Sequence, residues 1–351
     1  MEPINKIPVA ILGATGMVGQ RFVQLLARHP WFKISALASS EHSAGKTYHD
    51  ACHWLLDGNI PAKIGKIVVQ SVQPTLDAKI VFSALPASVA VNVEPAFADA
   101  GYAVCSNASA FRYEEDVPVI IPEINHDHTA LISTQRKKRG WKGSLVTSPN
   151  CTTTGIALPL KPLHEAFGVN KIFAVTMQAV SGAGYPGLSF LDIEDNVIPF
   201  IGGEEQKIET ETHLLLGKME GSQRMPANMT ISAQANRVSV KEGHTICLSI
   251  GFVQKPSLEE IISVLENFKG IEGTPNLPSI PKQIIVIRQE KDRPQPRKDR
   301  YVNDGMSVTV GRIRTCPILD YRMVTVSHNT LRGAASGSIL NAELLVAKNI
   351  I

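Results

Sequence analysis

One cysteine stands in a polar setting that could activate a thiol. The segment reads SPNCTTTG over 148–155, directly before an apolar run. If a helix begins at Thr152, Cys151 lies at its positive end, which lowers the pKa of a thiol and favours the thiolate. The Asn150 amide and nearby N–H groups could hold an oxyanion on an attacked carbonyl. A buried structural cysteine is the usual alternative, but it needs no asparagine and three threonines around it.

A glycine-rich turn follows the first predicted strand, residues 7–12. It reads GATGMVG over 13–19 and leads into a predicted helix. Glycine in such a turn allows backbone N–H groups to face a pyrophosphate at the helix N-terminus. The spacing is GxxGxxG and not GxGxxG, and an ordinary strand–helix turn is the alternative. Its place in the first β–α unit indicates dinucleotide binding.

The end of the second predicted strand indicates which dinucleotide binds. An acidic residue there would hold the ribose 2′-hydroxyl and repel a 2′-phosphate. The sequence has three serines, Ser39, Ser40 and Ser43, followed by Lys46, and its Glu41 comes too late for the acidic role. These residues suit a phosphate, so we expect NADP.

A nucleophilic cysteine beside a nicotinamide suggests acyl chemistry through a thioester and a thiohemiacetal, and this chemistry needs a base. His244 precedes a predicted strand and follows Arg237 by seven residues. Taken alone, it could equally be a surface histidine. His49, Cys52 and His53 have a metal-like spacing but no acidic or cysteine partners nearby, so we expect no metal site.

The elements that must position these residues fall into two groups. Over residues 1–110, short apolar strands alternate with helices, which predicts a doubly wound parallel sheet of the Rossmann type. From about 149 the strands are longer and more β-branched, which predicts a separate antiparallel or mixed sheet. Within it, strands are predicted over 172–180, 245–253, 283–287 and 307–313. We expect domains at 1–148, joined by a C-terminal helix over 332–351, and at 149–331.

Composition limits the function classes. The 351 residues are 44% hydrophobic, and 35 Lys+Arg against 32 Asp+Glu give a formal charge of +3. This balance excludes disorder and gives no global reason to expect a nucleic-acid partner. The basic run 136–139 and the proline- and charge-rich segment 290–300 are interpreted as solvated loops. No apolar run reaches membrane-spanning length, no signal peptide is visible, and five scattered cysteines suit reduced thiols, so we expect a cytoplasmic protein.

Seven motifs in order resemble aspartate-β-semialdehyde dehydrogenase, over nearly the whole chain. They are GATGMVG, SNASAFR (106–112), SPNCTTTG, MQAVSGAGYPG (177–187), GGEEQK (202–207), NRVSVKEGHT (236–245) and LRGAASGSILNAELL (331–345). The EEQK element and the short Arg-x6-His segment are similar to the archaeal and fungal branch. The resemblance implies a second domain of the α+β kind found in glyceraldehyde-3-phosphate dehydrogenase, and a homodimer or homotetramer formed through it.

The resemblance also implies an activity and site residues. The reaction would be NADPH-dependent reduction of L-4-aspartyl phosphate to L-aspartate 4-semialdehyde and phosphate, in the biosynthesis of threonine, methionine and lysine. Cys151 would form the thioester, and His244 would accept its proton and later return it. Gln178 would help position the acyl group or the base, and Asn150 would be a further catalytic residue. Substrate binding would involve Arg237 for the carboxylate, Glu204 or Glu205 for the ammonium, and Arg112 and Lys207 for the phosphate. Residues implied near the cofactor are Gly13, Thr15, Gly16, Met17, Val18, Gly19, Ser39, Ser40, Ser43, Ser83, Leu85, Ser181, Gly182 and Asn329.

The residue chemistry supports this assignment independently, because aspartyl phosphate carries a carboxylate, an ammonium and a phosphate. Its binding site needs several cations and one anion, and arginine binds a carboxylate in bidentate geometry. Other acyl reductases of the same architecture remain alternatives. N-acetylglutamyl-phosphate reductase has no ammonium to bind, and glyceraldehyde-3-phosphate dehydrogenase has its base not far downstream of the thiol, where Gln178 stands here. Malonyl-CoA reductase is the hardest to exclude, and a non-catalytic NADP-binding regulator is the rival from another class.

Overall fold

The computed structural model describes residues 6–351. Most of the strands in this range form two sheets. The first sheet has six parallel strands in the order β3-β2-β1-β4-β5-β6. These strands are β1 (Ile7–Leu12), β2 (Phe32–Ser39), β3 (Gln70–Ser71), β4 (Ile80–Ser83), β5 (Ala103–Ser106) and β6 (Ser144–Thr147). Its connections include helices α1 (Met17–Leu26), α2 (Tyr48–Ala51), α3 (Ala62–Gly65), α4 (Ala87–Asp99), α5 (Pro122–Asn125) and α6 (Leu131–Arg139). This architecture confirms the predicted Rossmann-type sheet.

The second sheet is mixed, as the sequence predicts, and has the order β13-β14-β15-β12-β7-β11-β8. Its strands are β7 (Val169–Gln178), β8 (Val197–Ile198), β11 (Thr230–Val238), β12 (His244–Phe252), β13 (Ile285–Arg288), β14 (Val308–Thr315) and β15 (Tyr321–Ser327). A separate hairpin consists of β9 (Lys218–Glu220) and β10 (Gln223–Met225). The helices in this part of the chain are α7 (Cys151–Phe167), α8 (Phe190–Ile193), α9 (Glu204–Leu216), α10 (Leu258–Glu266) and α11 (Pro296–Asp299).

Helix α7 is longer than the sequence predicts. Two prolines indicate that only its first turn is regular, but the helix continues through Pro159 and Pro162 to Phe167. A proline cannot donate to the carbonyl four residues earlier. The carbonyl freed by Pro159 belongs to Gly155 and instead accepts a hydrogen bond from the Thr325 hydroxyl at 3.3 Å. Packing against the second sheet therefore compensates for the lost backbone bond.

Two segments expected as loops contain helices. The basic run 136–139 is the last turn of α6, which ends at Gly140 in the left-handed conformation, φ 72°. Its Arg139 is paired with the buried Asp116 at 2.5 Å. The segment 290–300 contains α11, whose Asp299 binds Arg288 at 3.0 Å. Neither run is simply a solvated loop, because buried carboxylates fix part of its charge.

The last helix, α12 (Ser336–Ala347), follows a single π-helical turn at Leu331–Ala335. Its apolar residues, including Ile339, Leu340 and Leu344, share one core with strands of the first sheet. A second core joins α7 to the mixed sheet. The chain thus returns to the first sheet after completing the second, although the exact domain borders stay a prediction. Across residues 6–351 the helices are all too short or too polar to cross a bilayer.

Candidate active site

Strand ends and one helix start bring the predicted catalytic residues to the same place. The register between β7 and β11 sets Gln178 directly beside Arg237. Strand β12, antiparallel to β7, starts there with His244. Helix α7 starts at Cys151, where the Asn150 side-chain oxygen accepts hydrogen bonds from the next two helical N–H groups at 2.9 and 3.1 Å. The sheet edge and the helix N-terminus therefore meet at the thiol.

The thiol and the histidine are in direct contact. Cys151 Sγ lies 3.2 Å from His244 Nε2. The other ring nitrogen, Nδ1, accepts a hydrogen bond from the Ala179 N–H at 3.1 Å. An Nδ1 that accepts a hydrogen bond carries no proton, so the neutral ring has its proton on Nε2, facing the sulfur. In this resting arrangement His244 is a hydrogen-bond donor to Cys151.

Both partners are neutral at rest. Burial, and after it the nearby Glu204 carboxylate, raises the pKa of the Cys151 thiol to about 12. Burial, with Arg237 and His328 nearby, lowers the pKa of His244 to about 3. The direction for the thiol is opposite to the one expected from the helix N-terminus, because loss of hydration and the Glu204 carboxylate outweigh the nearby charges of Arg112 and Arg237. A thiolate must therefore form during the reaction.

Charged side chains surround the thiol and are themselves held in place. One carboxylate oxygen of Glu204 accepts hydrogen bonds from the Asn150 amide at 2.9 Å and the Thr152 hydroxyl at 3.1 Å. The other lies 3.7 Å from the ammonium of Lys207. The guanidinium of Arg237 donates to the Ala179 carbonyl at 2.7 Å. Residue 179 thus orients both Arg237 and the histidine through its backbone.

Glu211 is a buried residue that the sequence reasoning missed. Its carboxylate accepts hydrogen bonds from Arg112 at 2.9 Å and from the Asn150 N–H at 2.5 Å. It therefore joins an arginine of the first sheet's loops to the start of the thiol's helix. A usable signal existed in the sequence, since Glu211 follows Glu204 by seven residues and two helical turns place both on one face. The Nε of Arg112 has no hydrogen-bond partner among the described residues, which leaves one buried donor for an anion.

Cys151 and most of the charged residues around it line one cavity of about 490 Å³ between the two sheets. Predicted residues on its wall are Met17, Val18, Leu85, Arg112, Asn150, Cys151, Gln178, Ser181, Gly182, Glu204, Lys207, Arg237 and Asn329. Glu205 is not among them, because its carboxylate accepts the Ala235 N–H at 3.0 Å, away from the cavity. Of the two candidates for the substrate ammonium, the geometry favours Glu204. Asn107, Ser109 and Gly333 also line the cavity and were not singled out by the sequence reasoning.

The predicted cofactor residues Gly13, Thr15, Gly16 and Gly19 belong to the glycine turn and the start of α1. Gly13 has φ +75°, and a Cβ there would lie 2.8 Å from the Ala84 carbonyl. A Cβ on Gly19 would lie 2.2 Å from the Gly13 carbonyl, so the turn and helix pack too closely for side chains. Helix α1 starts after Gly16 without a side-chain cap, which leaves N–H groups available for an anion. The turn fits a pyrophosphate.

The predicted serines differ in their surroundings. The hydroxyl of Ser39 lies 2.7 Å from that of Thr15, which joins the end of β2 to the glycine turn. Ser40 is exposed, whereas Ser43 is buried. The buried hydroxyl of Ser83 has no hydrogen-bond partner among the described residues. His49, Cys52 and His53 belong to no metal-binding group, since residues 6–351 contain no such cluster of His, Cys, Asp and Glu.

Comparisons with known proteins identify the family of both halves of the chain. The model of the semialdehyde dehydrogenase NAD-binding domain matches residues 8–132, and that of the semialdehyde dehydrogenase dimerisation domain matches 160–332. The aspartate-semialdehyde dehydrogenase of Archaeoglobus fulgidus is 49% identical, with 98% of this chain and 99% of that protein covered. The malonyl-CoA reductase (NADP) of Metallosphaera sedula is 39% identical, with 98% of each chain covered.

A solved structure is similar as well. The crystal structure of aspartate-semialdehyde dehydrogenase with NADP from Candida albicans has a TM-score of 0.91 and 42% identity, covering 98% of this chain and all of that one. The fold, the thiol–histidine pair and these similarities all indicate the same family. The chain belongs to the aspartate-semialdehyde dehydrogenase family.

Proposed function

We propose that this protein reduces L-4-aspartyl phosphate to L-aspartate 4-semialdehyde with NADPH and releases phosphate. One observation carries the proposal: the Cys151 sulfur, 3.2 Å from His244, faces a cavity whose charges complement this substrate. The reaction would supply an intermediate for the synthesis of threonine, methionine and lysine. The similar Candida albicans enzyme was solved with NADP, and we assign the same cofactor here.

The charges in the cavity match the substrate group by group. Arg237 would hold the carboxylate in bidentate geometry, and Glu204 would take the ammonium. Arg112 and Lys207 would bind the phosphate, for which the free Nε of Arg112 is a buried donor. Glu204 is fixed by Asn150 and Thr152, so its position beside the thiol needs no rearrangement. Such preorganised charge is the usual source of transition-state stabilisation.

The chain's own residues can then carry the acyl transfer. The sulfur bonds to the acyl carbon, the carbon–oxygen bond to phosphate breaks, and the thiol proton leaves on the released phosphate, either directly or by way of His244. His244, as the Nε2–H tautomer, donates a hydrogen bond that stabilises the thiolate and the carbonyl oxygen. Its acceptance of the thiol proton stays a prediction. An imidazolium would carry a proton on Nδ1, and that proton would face the Ala179 N–H. Gln178 lies beside Arg237 at the same strand edge and would orient the acyl group.

The cofactor would lie along the glycine turn. Gly13, Gly16 and Gly19 would bring the α1 N-terminus to the pyrophosphate, and Ser39, Ser40 and Ser43 would face the 2′-phosphate. Ser83 and Leu85 follow the next strand, while Ser181, Gly182 and Asn329 reach the cavity from the second sheet. When bound, NADPH supplies the hydride that reduces the thioester.

The assay for this proposal follows NADPH formation in the reverse direction. Purified protein receives L-aspartate semialdehyde and NADP, with and without inorganic phosphate, and Cys151→Ala is the matched control. We expect a phosphate-dependent rise in NADPH absorbance that the control abolishes. Absence of the rise with a folded wild type that binds NADP would refute the proposal.

Malonyl-CoA is the second substrate to test, because a relative that is 39% identical over almost the whole chain is a malonyl-CoA reductase. Oxidation of NADPH with malonyl-CoA, together with no reaction of the semialdehyde, would assign that activity. We expect the opposite, since a malonyl group has no ammonium to pair with the fixed Glu204.

We also propose the organisation of the protein around this activity. The NADP-binding domain would comprise 1–148 with the helix at 332–351, and the catalytic domain 149–331. The family model of a dimerisation domain over 160–332 supports assembly through the second domain. We propose a homodimer or homotetramer in the cytoplasm, which size-exclusion chromatography with light scattering and cell fractionation would test.

A further inference from the structure

Glu242 lies where four segments of the chain meet. One of its carboxylate oxygens accepts hydrogen bonds from Arg21 on α1 at 2.5 Å and from the Thr330 hydroxyl at 3.3 Å. The other accepts the Tyr301 hydroxyl at 2.8 Å and lies 3.6 Å from His328 Nε2. The residue is 5% exposed and does not line the cavity of Cys151. It lies instead on a smaller adjoining cavity of about 190 Å³, which shares Met17 and Ser181 with the cavity of Cys151. We therefore assign Glu242 no direct contact with the substrate.

The segment after Glu242 leads at once to the catalytic histidine. The N–H of Gly243 donates to the Asn329 side chain at 2.9 Å, and that side chain donates to the Ser181 hydroxyl at 2.8 Å. Gly243 has φ +96°, and a Cβ there would lie 3.1 Å from the Cβ of Arg300. The Arg300 guanidinium donates to the Glu242 carbonyl at 3.0 Å. The two residues before His244 are thus held on several sides.

The other side of this network is the helix that follows the glycine turn. Arg21 lies one turn after Met17 on α1, and its Nε is 3.3 Å from the Thr330 hydroxyl. Burial alone would raise the pKa of Glu242, but the His328 ring 3.6 Å away and the charge of Arg21 hold that pKa well below its ordinary range. The carboxylate is therefore ionised at neutral pH, and it accepts hydrogen bonds from Arg21 on α1, from Tyr301 and from Thr330.

We propose that Glu242 is a positioning residue that holds His244 against Cys151 by fastening the 242–244 segment to helix α1 and to residues 328–330. It acts through the histidine and not on the substrate. A carboxylate is needed because both oxygens accept from donors that approach from different segments. The kinetic assay of this inference rests on the proposed function. The reactivity of the Cys151 thiol reports the same geometry without that assumption.

The experiment is a double-mutant cycle between Glu242→Gln and His244→Asn. Glutamine keeps the volume but presents an N–H₂ group to donors, so the segment loses one anchor. We expect about a tenfold fall in kcat, the lower end for residues that orient a catalytic group. The KM values for semialdehyde and phosphate and the Kd for NADP, measured by fluorescence, should stay within about twofold. In the His244→Asn background Glu242→Gln should have no further effect, because the cycle isolates dependence on the histidine.

A matched control is Asp116→Asn, which removes another buried carboxylate from an arginine partner, Arg139, away from the cavity. It should lower Tm without changing kcat. Tyr301→Phe, which removes a single donor, gives a milder second variant if Glu242→Gln does not fold, with a smaller fall of the same kind. The rate of Cys151 alkylation by iodoacetamide is measured in every variant. Glu242→Gln should change this rate when His244 is present and leave it unchanged in the His244→Asn background.

The outcomes separate the two proposals. A wild type without reductase activity refutes the proposed function, and the alkylation rates then test the positioning role alone. An equal effect of Glu242→Gln on alkylation in both histidine backgrounds would overturn the inference, as would an unchanged kcat with a weakened NADP Kd. The first result would mark Glu242 as structural, and the second would mark it as a cofactor-binding residue.

Discussion

Around Cys151 the cavity wall consists of charged side chains held by other side chains, whereas around the glycine turn it consists of backbone and small residues. Glu204, Glu211 and Arg237 each have hydrogen-bond partners at 2.5–3.0 Å. At the turn, Gly16 has no side chain and caps α1 without a side-chain bond. The first region can stabilise charge that develops during the reaction, because its charged groups are fixed. The second region offers a ligand only backbone groups and the space to reach them.

This difference separates two kinds of kinetic effect. Substitutions around the thiol should lower the rate of the chemical step, because interactions specific to the transition state are lost. Substitutions at the turn should raise the KM for NADP and leave the rate at saturation unchanged. Single substitutions in each region therefore test whether this kinetic difference holds.

Replacement of the histidine should have the largest effect. His244→Asn keeps a polar side chain but removes Nε2–H from the sulfur, and we expect kcat to fall about 10³-fold. Steady-state assay of NADPH formation at saturating substrates measures this, with NADP Kd as the control for the second region. A fall below about tenfold would mean that the contact with Cys151 is structural.

The thiol itself should show its raised pKa in its reactivity. Since the pKa is about 12, the thiolate fraction of free enzyme rises tenfold with each pH unit well below this pKa. Alkylation of Cys151 by iodoacetamide should therefore accelerate about 100-fold between pH 8 and pH 10, whereas a thiol with an ordinary pKa would gain at most about tenfold. The rate is measured by mass spectrometry, and Cys151→Ala corrects for the other four thiols. A plateau over this range would instead indicate an imidazolium–thiolate pair and would contradict the neutral pair described here.

Glu211 tests whether a residue outside the cavity contributes to the charged region, because it binds Arg112 and the Asn150 N–H without lining the cavity. Glu211→Gln replaces an acceptor with an N–H₂ group facing either Arg112 or the Asn150 N–H. We expect kcat/KM for phosphate to fall about 30-fold, within the range for residues that orient direct ligands. Glu209→Gln is the matched control on the same helix, since within residues 6–351 that carboxylate binds only the Ala233 N–H, at 2.9 Å. Equal losses in the two variants would show that the effect is general destabilisation of α9.

The sequence predicted the two sheets well and the site in part. Strand–helix alternation and β-branched runs are local signals, and the motif of Cys151 predicts a helix start at Thr152, one residue after the observed start. The continuation of α7 past Pro159 depends on Thr325, which is distant in sequence and gives no local signal. The direction of the thiol pKa was also out of reach, because burial depends on the whole fold. Glu205 and Glu204 are neighbours in sequence, and only the contact with Ala235 separates them.

Gly16 gives the smallest effect and the most direct test of the second region. A Cβ there would meet only the Gly13 carbonyl, at 3.5 Å, which is ordinary contact, so Gly16→Ala should fold normally. If the pyrophosphate lies against this backbone, the added methyl displaces it, and we expect KM for NADP to rise about tenfold, equivalent to about 1.4 kcal/mol. The KM for phosphate and kcat should not change, and they serve as internal controls. A fall in kcat with unchanged KM would mean that the turn, too, acts on the chemical step, and the contrast between the two regions would not hold.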